Sequence, residues 1–280
     1  MKADLHIHTT ASDGALDPIR TVHEAKVARL RAIAITDHDT IDGLLTLKKV
    51  GILNSDSSKM SLPNPAIITG IELNADLPGY EVHILGYFID IDNAELKKTL
   101  KFLVENRQKR LLLMVEKINY LGYDLKFEDV MEITANSAAI GRPHVAKAIL
   151  QTGYFKNINQ VFDVLLGKNC PAYIPQYRLT LEKVIELIEG AGGIAVLAHP
   201  GLIGNDIIVE KIIKKPGISG IEVYHPAHTE EQTEKYLSLA KEHNLKITGG
   251  SDFHGVAGRF PEKLGIFCIS TDLVEQLRSE

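Results

Sequence analysis

Short runs rich in isoleucine and valine recur along the chain, and most are separated by segments that read as helices. The strands expected are ADLHIH (3–8), AIAIT (32–36), AIITGIEL (66–73), VHILGYF (82–88), GIAVLAH (193–199), GIEVY (220–224) and KITGGS (246–251), with LGIFCI (264–269) as a late addition. The runs are apolar almost without alternation, as strands covered on both faces are. Between the first two lies DPIRTVHEAKVARL, where Asp17 can cap a helix, Pro18 suits its first turn and apolar residues recur at helical spacing. HTEEQTEKYLSLAKEH opens with Thr229 and Gln232 in the positions of a capping box. Strand and helix in alternation mean a parallel α/β fold, open or closed into a barrel.

Two stretches break the alternation. Only ADLPGYE separates GIELN from VHILGYF, too few residues for a parallel crossover, so these strands should be antiparallel neighbours joined at the Pro-Gly turn. The start of the fourth strand then lies beside the end of the third. The second stretch, residues 92–180, is far too long for a strand-to-helix connection. Its first half, ELKKTLKFLVENRQKRLLLMVEKINYLG, reads as one helix of about 40 Å. Residues 1–91 and 181–280 are therefore expected to form the α/β domain, and 92–180 a helical insertion.

The remaining bulk properties narrow the function classes. At 280 residues and 45% hydrophobic, the chain can bury a large core. A net charge of −5 argues against a dedicated binder of duplex DNA or anionic membranes, while leaving short single-stranded nucleic acid open. No apolar run is long enough to cross a bilayer, and polar, histidine-bearing sequence stands where a signal peptide would need its apolar segment. Cys170 and Cys268 lack metal or redox spacing, and Cys268, inside GIFCIS, is expected in the core. A reducing cytoplasm is the expected location.

His6 and His8 share one face of the first strand because side chains alternate along it. Comparable residues stand at equivalent places: His38 after the second strand, Glu72 at the end of the third, and His83 at the start of the antiparallel fourth. His199 ends the fifth, Asp252 and His254 follow the seventh, and Asp13 lies in the loop after the first. Taken alone, a histidine at a strand end is ordinarily a satisfied polar residue and an aspartate there a helix cap. Such groups at six of seven expected strand termini on one rim are not explained by capping. Buried together without compensation they would be costly, and bound cations remove the cost. The donors are nitrogen and oxygen only, which suits Mn²⁺, Zn²⁺ or Fe²⁺. Six histidines and three carboxylates are too many for one ion. Three divalent ions against three carboxylates leave a cationic pocket that attracts phosphate. Neighbouring metals about 3.5–4 Å apart can share a hydroxide as nucleophile, so metal-assisted hydrolysis of a phosphate ester is the expected chemistry.

HIHTTASDG, ITDHDT, GIEL, EVHILG, LAHPG and GSDFHG, in this order, resemble the polymerase and histidinol phosphatase (PHP) family along essentially the whole chain. The resemblance implies a distorted seven-stranded βα barrel with a trinuclear metal centre. It implies a first metal held by His6, His8, Asp252 and a bridging Glu72, a second by Glu72, His83 and His199, and a third by Asp13, His38 and His254. Glu72 and Asp252 are expected to serve catalysis as well as metal binding. GRPHVAKAIL followed by LLGKNCPAYIP is similar to the helical cap of stand-alone PHP phosphoesterases acting on 3′,5′-nucleoside bisphosphates or on the 5′ ends of short RNA. By that resemblance Arg142, His144 and Lys168 are candidate substrate contacts. Arg142 has the guanidinium fork that suits a phosphate, whereas Lys168 is the weaker candidate and reads more readily as a surface charge.

Other residues are given structural readings. His23 and His243 are expected to be solvated on amphipathic helices. Asp37 and Asp39 are expected either to orient ligands or to cap a helix near Thr40. His225 and His228 follow the sixth strand and so are expected near the rim, where either could protonate a leaving group, although His228 also reads as the residue that precedes the capping box. The basic helix around KKTLKFLVENRQKR is expected to be solvated, although it could meet an RNA tail. The expected activity is hydrolysis of a nucleoside bisphosphate or of short 5′-phosphorylated oligonucleotides. Its rivals are a histidinol phosphate phosphatase, an amidohydrolase and a non-catalytic metal-binding module.

Overall fold

The computed structural model describes residues 1–53, 65–134 and 140–278; residues 135–139 of the expected insertion lie outside it. Contacts divide the chain into two compact units, 1–98 with 179–280, and 99–178.

The first unit opens with β1 (Lys2–Ile7), α1 (Pro18–Val27), β2 (Ala32–Ile35), α2 (Asp42–Lys49), β3 (Ala66–Leu77) and β4 (Tyr80–Tyr87). Asp17 caps α1 through its carboxylate, which accepts from the N–H groups of Ile19 and Arg20. β1, β2 and β3 pair in parallel. β3 and β4 then form a long antiparallel hairpin, Leu77 facing Tyr80 across Pro78 and Gly79. Gly79 takes the positive φ of 88° that this two-residue turn requires. The register places His83 opposite Asn74, one step on the same face from Glu72.

The second unit holds most of α3 (Ala94–Tyr120), with α4 (Phe127–Thr134), α5 (Arg142–Gln151) and α6 (Ile158–Val161), the last continuing into a π-helical turn at Phe162–Leu166. The long helix expected after residue 92 is thus a single α3 of 27 residues. Leu111, Met114, Ile118, Val145, Ile149 and Leu166 belong to the buried core of this unit.

The chain returns to the first unit with β5 (Leu179–Thr180), α7 (Leu181–Gly190), β6 (Ile194–Leu197), α8 (Asp206–Ile213), β7 (Ile218–Tyr224), α9 (Glu230–Glu242), β8 (Lys246–Gly249), β9 (Ile269–Ser270) and α10 (Thr271–Arg278). The reciprocal Thr229–Gln232 capping box opens α9. The sheet runs β8-β7-β6-β4-β3-β2-β1-β9, with β5 on β3. β4 is antiparallel to both its neighbours, so its beginning joins the rim where β1, β2, β3, β6, β7 and β8 end. The circle closes just past β8, where His8 N–H donates to Phe253 C=O (2.9 Å) and Phe253 N–H to His6 C=O (3.2 Å). Seven strands of four residues or more therefore form a nearly closed, distorted barrel around Leu5, Ala34, Ile68, Leu85, Tyr87 and Val196.

Closure needs a glycine. A β-carbon on Gly250 would stand 2.3 Å from His6 Cβ and 2.4 Å from its nitrogen. Gly250→Ala should therefore destabilise the fold by about 1–3 kcal/mol, read as a lower urea midpoint with an unchanged slope.

Three expectations are corrected here. LGIFCI is not a strand over 264–269: Gly265 sits at φ 84°, which breaks an extended run, and only Ile269 with Ser270 pairs with β1. Cys268 is consequently half-buried rather than in the core. His243 is half-buried at the C-cap of α9, whereas His23 is exposed as expected.

Candidate metal centre

Glu72 is the centre of the site. It is fully buried, and five imidazoles face its carboxylate: His6 Nε2 (3.2 Å), His8 Nε2 (3.2 Å) and His38 Nδ1 (3.1 Å) at Oε2, and His83 Nδ1 (2.8 Å) and His199 Nε2 (2.9 Å) at Oε1. Burial by itself would raise this carboxyl, but His38, His6 and His83 hold it well below the usual range. Reciprocally, and against burial, Glu72 raises His83 to about 10, and Asp252 with Glu72 raises His8 to about 9. His38 goes the other way, to about 4, through burial and the neighbouring imidazoles of His8 and His83.

Each strand end delivers its residue by local chemistry. The loop carrying Asp13 is pinned by Asp37, whose carboxylate accepts from Thr9 N–H (2.7 Å), Thr9 Oγ1 (2.8 Å) and Ser12 Oγ (2.7 Å). Asp39 accepts from Asn74 N–H and its amide, tying the His38 loop to β3. Neither aspartate caps α2, which has no side-chain cap. His199 and Asp252 sit at φ 26° and φ 51°, a region non-glycine residues rarely adopt. Strain of this kind at two convergent polar residues marks a functional site.

Donor atoms gather in three groups, each within 4.8 Å: His8, Asp13, His38 and His254; His6, His8, Glu72 and Asp252; and His38, Glu72 and His83. The nine residues singled out in the sequence thus converge on one rim, with His199 joining through Glu72 and through His83, whose ring centroid is 5.0 Å away. Among the described residues, buried ring nitrogens of His8, His38, His83 and His199 have no well-aligned hydrogen bond although carboxylate oxygens lie close to several of them, as suits ring nitrogens that hold cations. The donor set, imidazole and carboxylate without thiolate, fits Mn²⁺, Fe²⁺ or Zn²⁺.

Behind the donors stand residues absent from the sequence-based set. Glu222, fully buried on β7, accepts from His6 Nδ1–H (3.0 Å) and from His199 N–H (2.7 Å), turning His6 Nε2 inward. Its signal was a carboxylate inside the otherwise apolar GIEVY. Asp4 accepts from Ser251 N–H (2.9 Å) and Ser251 Oγ (2.5 Å), anchoring the segment that carries Asp252; burial raises its carboxyl to about 6 against these bonds. His254 donates Nδ1–H to Asp252 C=O (2.8 Å), leaving Nε2 for Asp13 (3.2 Å).

Asp252 divides its oxygens. Oδ1 faces His8 (3.1 Å), His254 (3.5 Å) and His6 (3.6 Å). Oδ2 receives Arg259 Nη2 (2.9 Å) and faces His225 Nε2 at 3.7 Å. His225 Nδ1 accepts from Ala227 N–H (3.1 Å), so its proton lies on Nε2. His228 spends both nitrogens on backbone, donating to Val223 C=O (2.8 Å) and accepting from Gly201 N–H (3.2 Å). A cavity of about 150 Å³ opens on the cluster, lined by His38, Glu72, His83, His199, Asp252 and Arg259 among others.

The three candidate substrate contacts lie in the second unit. Arg142 donates to Leu166 C=O (3.2 Å), with its guanidinium 5.4 Å from the Tyr173 ring centre and 5.9 Å from that of Phe162. Arg110 donates to Ile174 C=O (2.8 Å), and burial together with Arg142 lowers it to about 10. His144 shares the first turn of α5 with Arg142 and accepts from Gly141 N–H (3.2 Å). Lys168 is exposed in the loop after the π-helical turn. Among the described residues, no helix is long and apolar enough to cross a membrane.

Known proteins match the chain along nearly its whole length. It is 32% identical over 262 residues to the 3′,5′-nucleoside bisphosphate phosphatase of Chromobacterium violaceum, covering 91% of this chain and 89% of that one. It is 31% identical over 256 residues to the 5′-3′ exoribonuclease Rnm of Escherichia coli, covering 90% and 84%. The solved structure of an amidohydrolase from Chromobacterium violaceum, with bound sulfate and no metal, superposes with a TM-score of 0.75 at 28% identity, covering 99% and 97%. The PHP domain model matches residues 4–194, from the strand bearing the paired histidines through to the start of β6, and the chain belongs to the PHP domain family.

Proposed function

We propose that this metal-dependent phosphoesterase of the PHP family converts a 3′,5′-nucleoside bisphosphate into the 5′-nucleotide and phosphate, or trims short 5′-phosphorylated oligonucleotides. The observation that carries this reading is Glu72, a buried carboxylate faced by five imidazoles beneath a cavity of about 150 Å³. That cavity is smaller than the roughly 300–1,000 Å³ of pockets that enclose whole small ligands. It takes a phosphoryl group and leaves the rest of the substrate outside.

In this reading His6, His8, Asp252 and Glu72 would hold one ion, Glu72, His83 and His199 a second, and Asp13, His38 and His254 a third. Such ions, when bound, neutralise the phosphoryl oxygens and lower the pKa of the attacking water. The chain supplies the rest. Glu222 fixes the His6 tautomer and holds the His199 backbone, so both rings are set before substrate arrives. Arg259, at the mouth beside Asp252, presents a guanidinium to a phosphoryl oxygen. Within the second unit, Arg142 and His144 are the candidate substrate contacts, and the Arg142 guanidinium suits a two-pronged grip on a phosphate.

The test is phosphate release from adenosine 3′,5′-bisphosphate by Mn²⁺-loaded protein, with histidinol phosphate and an amide panel alongside and His8→Ala as the blank. Release from the nucleotide, lost in the variant, is the expected result. Release from histidinol phosphate alone would overturn the nucleotide, and amide cleavage without phosphate release would overturn the phosphoesterase reaction.

A further inference from the structure

A second cavity, of about 410 Å³, lies in the same unit as the metal centre and is lined by Tyr224, His225, Phe260, Phe267, Glu230 and Glu234 among others. It adjoins the centre through two residues. His225 lines it while its Nε2 lies 3.7 Å from Asp252 Oδ2. Phe260 lines it while its neighbour Arg259 lines the metal pocket and pairs with Asp252 at 2.9 Å. A phosphate seated at the metals therefore has this cavity one residue away.

Its lining suits a flat, amino-bearing ring. Tyr224, Phe260 and Phe267 offer aromatic surface, and Phe260 is 60% exposed, free to meet a ligand face. Tyr224 pairs with Gly249 of β8, where only a glycine leaves room for it: a β-carbon there would meet the Tyr224 Cβ at 2.5 Å. His228, both nitrogens already committed to backbone, contributes only its ring. The charged groups of the lining are the carboxylates Glu230 and Glu234, which repel a second phosphate and accept from N–H donors. At about 410 Å³ the cavity falls within the range of small-ligand pockets.

We propose that this cavity is the base subsite of the enzyme, in which Tyr224, Phe260 and Phe267 pack on a nucleobase while Glu230 and Glu234 accept hydrogen bonds from its exocyclic amino group. The inference rests on the nucleotide reading above and places the base in the unit that holds the metal centre.

The experiment compares kcat/KM on adenosine 3′,5′-bisphosphate, on its hypoxanthine counterpart and on the same bisphosphate without a base, using the metal-loaded full chain. Wild type should prefer the adenine compound over the base-free one by about tenfold or more, the scale of one base stacked on aromatic side chains. Phe260→Ala should collapse that preference, mainly through KM, and Glu234→Gln should reduce the preference for adenine over hypoxanthine. Calorimetry supplies a readout apart from turnover: Phe260→Ala should weaken binding of adenosine 5′-monophosphate far more than binding of inorganic phosphate. If wild type prefers the nucleotide and both variants keep both preferences, the cavity is not the base subsite and the nucleotide reading stands. If wild type treats nucleotide and base-free compound alike, both fall.

Discussion

Glu72→Gln should lower kcat/KM for phosphate release by on the order of 10⁴-fold, the scale seen when one member of a catalytic unit is removed. The glutamine amide keeps the shape of the side chain but loses the charge, and Glu72 belongs to two of the three donor groups. The loss should therefore appear as missing metal as well as missing activity, which elemental analysis of the purified variant reads directly. In chelated protein the same substitution leaves protonated imidazoles buried without their counter-charge. Removing one partner of a buried ion pair destabilises by about 3–5 kcal/mol, so the thermal midpoint of chelated Glu72→Gln should fall well below that of chelated wild type. An active variant with full metal content would remove Glu72 from the centre of the account.

The second large effect is on pH. Against burial, Glu222, Glu72 and Asp252 hold His6 well above its ordinary value, and His8 and His83 are raised to about 9 and about 10, so the chelated fold binds three protons near neutrality that an unfolded chain, with imidazoles near 6.5, has mostly released. Their contribution to stability is complete below about pH 6.5 and is lost as pH climbs through 9 and 10. Metal must displace the same protons. His6 and His8 share one donor group and His83 falls in another, so the first ion should gain about a hundredfold and the second about tenfold in affinity per pH unit between roughly 7 and 9. Calorimetric titration at pH 7.5 in buffers of different ionisation enthalpy should count about three protons released as these sites fill. No proton release there would mean that all three imidazoles are already neutral around Glu72.

Much of this arrangement is readable in one dimension because a parallel barrel converts sequence position into spatial position. His6, His8, His38, Glu72 and His199 stand at the ends of apolar runs, and runs of that kind end on one rim. His83 needed one more step, the shortness of ADLPGYE, which forces an antiparallel hairpin and turns the start of β4 toward the other ends. Asp13, Asp252 and His254 follow from the loops beyond β1 and β8. What the sequence conceals is pairing across distance. Glu222 lies 216 residues from His6 and Asp4 lies 247 from Ser251, and no local pattern announces either contact. Arg259 reads as an ordinary surface charge until the turn after β8 folds it back on Asp252. LGIFCI misleads in the opposite sense, because composition suggests a strand while the left-handed Gly265 prevents one.

The most direct test is the number of metal equivalents per chain required to bring chelated protein to full phosphate release from adenosine 3′,5′-bisphosphate. Activity should rise as Mn²⁺ is added and reach its plateau at three equivalents, with His8→Ala never reaching it. A plateau at one equivalent, or activity that survives exhaustive chelation, would contradict a trinuclear centre built around Glu72.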